Sequence, residues 1–165
     1  MNNDDFKLTP HQDQIIRQSI QTIAKTLLGI PYEAEDNDPK TPWTGKGKWM
    51  DLSKPPTSLD CSGLVAGVFK HVGLKMPHGS KHQFNFTLSV NKDFVKPGDL
   101  AFFGYDKDIH QVYHVGLVLD SENIIESRKF DPKASFETGK VILRPKSKWE
   151  AWDNFLGYRA HPRLV

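Results

Sequence analysis

The sequence predicts an α+β fold, papain-like in its layout, with N-terminal helices packed on a C-terminal antiparallel β-sheet. Three observations predict it. Apolar residues recur at helical spacing near the N-terminus and again after residue 60. Short segments rich in β-branched and aromatic residues fill the second half, separated by turn residues. Between the helical stretches, residues 33–58 are rich in Pro, Gly, Lys and Asp and show no sustained periodicity.

The first helix follows "TPHQDQIIRQSIQTIAKTLLG". Thr9 suits the N-cap, Pro10 the first helical position, and Gln12 completes a capping box. Ile16, Ile20, Ile23 and Leu27 form its apolar stripe, and Gly29 suits its C-terminal stop. The 33–58 loop that follows is long for a compact domain, and such loops are often binding or lid elements. Trp43 and Trp49 give it something to pack with.

A second helix starts at Cys61 with Asp60 as its N-cap. Leu64, Val65, Val68, Phe69 and Val72 give it a broad apolar face, and Gly73 ends it. Gly63 and Gly67 weaken the helix but allow close approach of another backbone. Ser80 and Gln83 read as the start of a short third helix. The strands are read in "DLAFFG", "YHVGLVL", "NIIES", "KVILR" and "LGYRA", and Asp120 to Asn123 is short enough to close a hairpin.

The 165 residues are expected to form a single domain, with a core from about residue 15 to 160. Lys+Arg 22 against Asp+Glu 20 leaves a net charge of +2, with no basic block, so nucleic acid is not an expected partner. No apolar run approaches the roughly 18 residues of a membrane span. The acidic, polar opening "MNNDDFKLTPHQDQ" lacks the pattern of a secretory signal. A cytoplasmic location or a signal-independent export route is therefore expected, and the sequence does not separate them.

Cys61 is the one cysteine of the chain, which excludes an intramolecular disulfide framework. A lone cysteine is commonly buried packing. A helix N-terminus, however, favours negative charge and so the nucleophilic thiolate. A nucleophile also needs a histidine base held by a third polar group. His114 lies in the apolar strand "YHVGLVL", sharing its face with Gly116 and Val118. Glu126 follows two isoleucines in the next segment. Antiparallel pairing through the 120–123 turn would make His114 and Glu126 near cross-strand neighbours, a carboxylate orienting an imidazole. The rival use of these histidines is a metal site. His78/His82 and His110/His114 share an H-x-x-x-H spacing, but on a strand four residues span about 13 Å, too wide for one zinc ion.

"LDCSGLV", "KPGDLAFFG", "YHVGLVLD" with "NIIESR", and "LGYRA" resemble the successive signatures of the NlpC and p-sixty family of papain-like cysteine peptidases. "AKTLLGIPY" resembles that family's first helix and tyrosine turn. The resemblance runs from about Ile15 to Arg159. It implies a cofactor-free hydrolase of peptide amides, with a peptidoglycan-derived peptide as the partner. It implies Cys61 as nucleophile, His114 as base and Glu126 as the orienting residue, where many members carry a histidine. It implies Tyr32 at the oxyanion, with Asp60 and Ser62 beside the substrate. The chain departs from the family pattern in "PYEAEDND" and in the long loop before Asp60. No repeat or SH3-like wall-binding module is visible, so targeting is expected to come from elsewhere. Two alternatives remain: a non-catalytic peptide- or partner-binding module on the same fold, and an acyltransferase of the same superfamily.

Overall fold

The computed structural model describes residues 7–36 and 38–164; the opening residues 1–6, where the acidic start was read, lie outside it. Helix α1 spans Pro10–Thr26, α2 spans Cys61–His71 and α3 spans Ser80–Phe86. The strands are β1 (Leu88–Val90), β2 (Leu100–Gly104), β3 (Val112–Val118), β4 (Asn123–Ser127), β5 (Val141–Pro145) and β6 (Phe155–Ala160). A short helix, α4 (Lys146–Glu150), is inserted between the last two strands. All pairings are antiparallel, in the order β1-β6-β2-β3-β4-β5.

The capping chemistry forms as expected in α1. Thr9 Oγ1 accepts from the Gln12 N–H, and Gln12 Oε1 accepts from the Thr9 N–H. Gly29, at φ +86°, turns the chain out of the helix. What docks α1 is a buried charge cluster that the apolar stripe does not reveal. Arg17 Nη1 donates to Asp99 Oδ1 and to the Pro97 carbonyl, each at 2.8 Å. Its Nε donates to Asp13, and Nη2 to the carbonyl of Leu164. Burial pushes the Asp99 carboxyl up, while hydrogen bonds from the Lys96 N–H and Arg17 pull against it.

The sheet separates two apolar layers. One face carries Leu100, Phe102, Val115, Leu117 and Ile125 against Ile20, Ala24, Leu64, Val65, Val68 and Phe69 of α1 and α2. The other carries Ala101, Phe103, Ile124 and Tyr158 against Trp149 of α4. The expectation of helices first and strands later therefore needs two additions: the three-residue β1 and the five-residue α4, both too short to show a period.

The third helix begins at Ser80, but Gly79, at φ +98°, occupies the cap position and no side chain caps it. Gln83 does not serve the cap. It is fully buried, and its Nε2 donates to the carbonyls of Ser62 (2.9 Å) and Pro77 (2.8 Å). The 33–58 loop is tied to α2 along its second half. A Cβ on Gly63 would sit 1.8 Å from the Gly47 carbonyl oxygen, so this glycine admits a backbone, as read from the sequence. At Gly67 the intruder is instead the Trp49 side chain, 2.8 Å from a built Cβ.

Candidate active site

The site is assembled where three chain segments are stitched together before α2. The Leu59 N–H donates to the Pro31 carbonyl at 3.0 Å, and the Asp60 N–H to the Gly47 carbonyl at 2.9 Å. Ser127 Oγ, at the end of β4, donates to the Leu59 carbonyl. These bonds bring Tyr32, the loop, the start of α2 and β4 to one place.

Cys61 is the first residue of α2 and is half-buried at the edge of the larger core layer. Asp60 caps the helix through Oδ1, which accepts from the Gly63 N–H at 2.6 Å. The same oxygen accepts from Ser62 Oγ at 3.1 Å and lies 3.1 Å from His78 Nε2. Ser62 Oγ is in turn 3.2 Å from His78 Nε2. Asp60 and Ser62 are thus both buried and bonded to each other, with the partly exposed His78 over them.

His114, 8% exposed on β3, places Nε2 3.3 Å from Glu126 Oε1. The β3–β4 register pairs Leu117 with Ile125, so the geometry is diagonal and not directly opposite. Continuing it sets Glu126 across from Gly116, with His114 two residues along the same face. Burial favours the neutral imidazole, but hydrogen bonds to Cys61 and Glu126, together with their negative charge, outweigh it. They push His114 from 6.5 up to about 9. His114 thus interacts with both Cys61 and Glu126.

Glu126 is fully buried. Burial works against its ionisation, yet the bond and charge of His114 and the charges of Arg144 and Arg128 hold the carboxyl below its usual range. Arg128 Nη1 reaches Oε1 at 3.2 Å and Arg144 Nη1 stands 3.7 Å from it. Trp149 Nε1–H donates to Oε2 at 2.6 Å. The indole also stacks on the His114 ring at 5.4 Å and 20°, and on Phe103 at 4.2 Å. It occupies the space Gly116 leaves, where a built Cβ would lie 2.7 Å from the ring.

Tyr32 is half-buried, and its phenol is pushed up to about 12 by burial and by the negative charges of Cys61 and Asp60. It stays a protonated donor near the thiol. The structure thus brings together all six residues singled out from the sequence, and adds Trp149, Arg128, Arg144, Gln83 and His78. Arg128 stood at the end of the quoted "NIIESR". For Trp149 the signal was Gly116, a missing side chain in a strand that otherwise packs tightly. Among the described residues, no group of three or more His, Cys, Asp or Glu side chains is placed to hold a metal ion. A groove of about 740 Å³ runs along α2 past Trp49, Gly67 and Met76 to His78, and does not include Cys61.

The model of the NlpC/P60 family matches residues 42–140, more than half of the chain and the stretch holding Cys61, His114 and Glu126. The chain belongs to the NlpC/P60 family. Tyr32 lies outside the matched stretch. Among NlpC/P60 relatives, the chain is 29% identical over 119 residues to the gamma-D-glutamyl-L-lysine dipeptidyl-peptidase of Bacillus cereus. That match covers 72% of this chain and 29% of the relative. It is 30% identical over 135 residues to the peptidoglycan endopeptidase RipB of Mycobacterium tuberculosis, covering 80% of this chain and 50% of RipB. The solved RipB structure superimposes with a TM-score of 0.64 at 24% identity, over 96% of this chain and 69% of that one. RipD of the same organism, described as a non-catalytic NlpC/p60 domain protein adapted to peptidoglycan binding, gives 0.61 at 18% identity, over 89% and 97%. These likenesses establish the papain-like NlpC/P60 fold. The chain spans between about a quarter and a half of the length of the two curated relatives named.

Proposed function

We propose that the protein is a cysteine peptidase or amidase that hydrolyses a peptide amide in bacterial cell-wall stem peptides. The observation that carries the reading is the series Cys61–His114–Glu126, with the imidazole raised to about 9 between a thiol and a buried carboxylate. A base placed there takes up the thiol's proton as the sulfur attacks.

Cys61 Sγ attacks the amide carbonyl carbon and forms a C–S bond. Negative charge moves to the carbonyl oxygen, where the protonated Tyr32 hydroxyl and the Cys61 N–H donate to it. His114 then gives its proton to the leaving nitrogen as the C–N bond breaks, leaving a thioester. Water attacks the thioester with His114 as base, the acid departs, and the thiol returns. Glu126 orients His114 and balances its charge. Asp60 and Ser62 flank the nucleophile and, with His78, form the polar wall beside the bound peptide. No cofactor is required for these steps.

Digestion of purified muropeptides, with fragments identified by mass, tests the substrate. New fragments from the native chain and none from Cys61→Ala are expected. Iodoacetamide tests the site itself. Cys61 should alkylate rapidly near neutral pH and slow in His114→Ala. An inert thiol overturns the peptidase reading in favour of a non-catalytic binding module; RipD is described as a non-catalytic domain adapted to peptidoglycan binding.

A further inference from the structure

The contacts of Glu126 do not stop at the catalytic histidine. Arg144 on β5 is 6% exposed, and its Nη1, 3.7 Å from Glu126 Oε1, has no partner at hydrogen-bond distance. Glu126 is already shared: Oε1 serves His114 and Arg128, and Oε2 serves the Trp149 N–H. Arg144 is therefore paired with Glu126 by charge, while its Nη1 makes no hydrogen bond, and a buried donor left that way is costly.

Arg144 also lines a cavity of about 610 Å³, within the range of about 300–1,000 Å³ usual for small-molecule sites. The Phe136 ring lies 4.3 Å from the Arg144 guanidinium and the Trp152 ring 5.5 Å. Leu143 and Lys148 complete one side, and Asp153 is the single acidic group facing them. Leu143 and Trp152 are 42% and 39% exposed, apolar surface left open beside two cations. The lining thus combines a planar donor fork, a second positive charge and aromatic walls. Arginine forks pair best with carboxylates, through two parallel bonds.

We propose that this cavity binds a small organic carboxylate with an apolar body, its carboxylate on Arg144 and Lys148 and its body against Phe136, Leu143 and Trp152. Binding there offsets the positive charge of Arg144 beside Glu126. The carboxylate of Glu126, which faces His114, Arg128, Arg144 and Trp149, then acts more strongly on His114. The site is consequently a control point for the base. The binding half rests on the cavity alone, and the coupling half rests on the Cys61–His114–Glu126 reading.

Phenylacetate and its neutral analogue 2-phenylethanol distinguish the outcomes, titrated into the full chain and followed by NMR at the Trp152 indole and the His114 ring. Phenylacetate should give a saturable shift with a Kd of about millimolar. Lys148→Glu should weaken it by about tenfold. Saturating phenylacetate should move the His114 titration to higher pH in the native chain and less so in that variant. Absence of saturation by about 20 mM, equal binding of 2-phenylethanol, or indifference to Lys148→Glu overturns the carboxylate site. Saturable binding with an unmoved His114 overturns the coupling. Saturable binding to a chain whose Cys61 is inert overturns the peptidase reading and leaves the site standing.

Discussion

Gly63→Ala is the sharpest test of how the loop and helix α2 fit together. The added Cβ would stand 1.8 Å from the Gly47 carbonyl oxygen, where real contacts essentially never fall below 3.0 Å. The backbone must open by about 1.2 Å, and close-packed interiors accommodate such insertions at a cost of about 1–3 kcal/mol. The 2.9 Å bond from the Asp60 N–H to that carbonyl is lost as well, which costs about 1 kcal/mol. Alanine's better helix propensity returns at most about 1 kcal/mol. The net destabilisation is then about 1–3 kcal/mol, a fall in Tm of about 3–10 °C for a domain of this size. Gly67→Ala is the control. Its Cβ meets the Trp49 Cβ at 2.8 Å, a shortfall of about 0.2 Å that the mid-helix propensity gain of up to about 1 kcal/mol offsets. Thermal melts of both variants, with Cys61 alkylation rates, provide the assay. A Gly63→Ala protein that melts with Gly67→Ala, and alkylates at the native rate, would refute the packing argument.

Three further outcomes are expected. Trp149→Phe keeps a ring on His114 but removes the N–H from Glu126 Oε2. It should cost about 1.5–3 kcal/mol in urea melts and slow Cys61 alkylation, and a stable, unchanged protein would show that the 2.6 Å bond is dispensable. Glu126→Gln should lower the pH at which His114 loses its proton, from about 9 toward 6.5. Because the folded-state value is raised, its stabilisation is present below 6.5 and is lost as pH rises through about 9. The native chain should therefore lose stability across that window in urea melts, and the variant should show a shallower slope. Arg17→Leu leaves Asp99 buried without its partner and should cost about 3–5 kcal/mol. The loss should be smaller at acid pH, where Asp99 takes up a proton, and a pH-independent loss would count against the charge argument.

Features that depend on near neighbours in the chain were readable from the sequence. The α1 capping box, the Asp60 cap on α2 and the 120–123 hairpin each need only residues a few positions apart. The pairing of His114 with Glu126 was also readable, because a short hairpin fixes register locally. Its diagonal offset of two residues was not, since it depends on the register of the whole β3–β4 pair. Trp149 was hinted at only by the room Gly116 leaves, for a different reason. It sits on a five-residue helix without a side-chain cap, and its partners Gly116, Phe103, His114 and Glu126 come from three earlier strands. Ser80 and Gln83 marked the start of the third helix correctly, but only the folded chain shows the Gln83 side chain turned toward Ser62 and Pro77. The Arg17 cluster escaped notice because a cation on an amphipathic helix reads as solvated until its buried acceptors are known.

The strip that carries Tyr32 also runs along an outer margin of the sheet. The Gly29 N–H donates to the Val141 carbonyl, the Val141 N–H to the Ile30 carbonyl, and the Tyr32 N–H to the Gly139 carbonyl. Pro31 bridges antiparallel to Lys140. These bonds occupy main-chain groups at the start of β5 that an uncovered edge would offer to a foreign strand. Peeling the strip back would expose a template for self-association and withdraw the phenol from the thiol in one motion. Loss of the native Cys61 alkylation rate on aging or heating should therefore precede visible aggregation and share its temperature dependence.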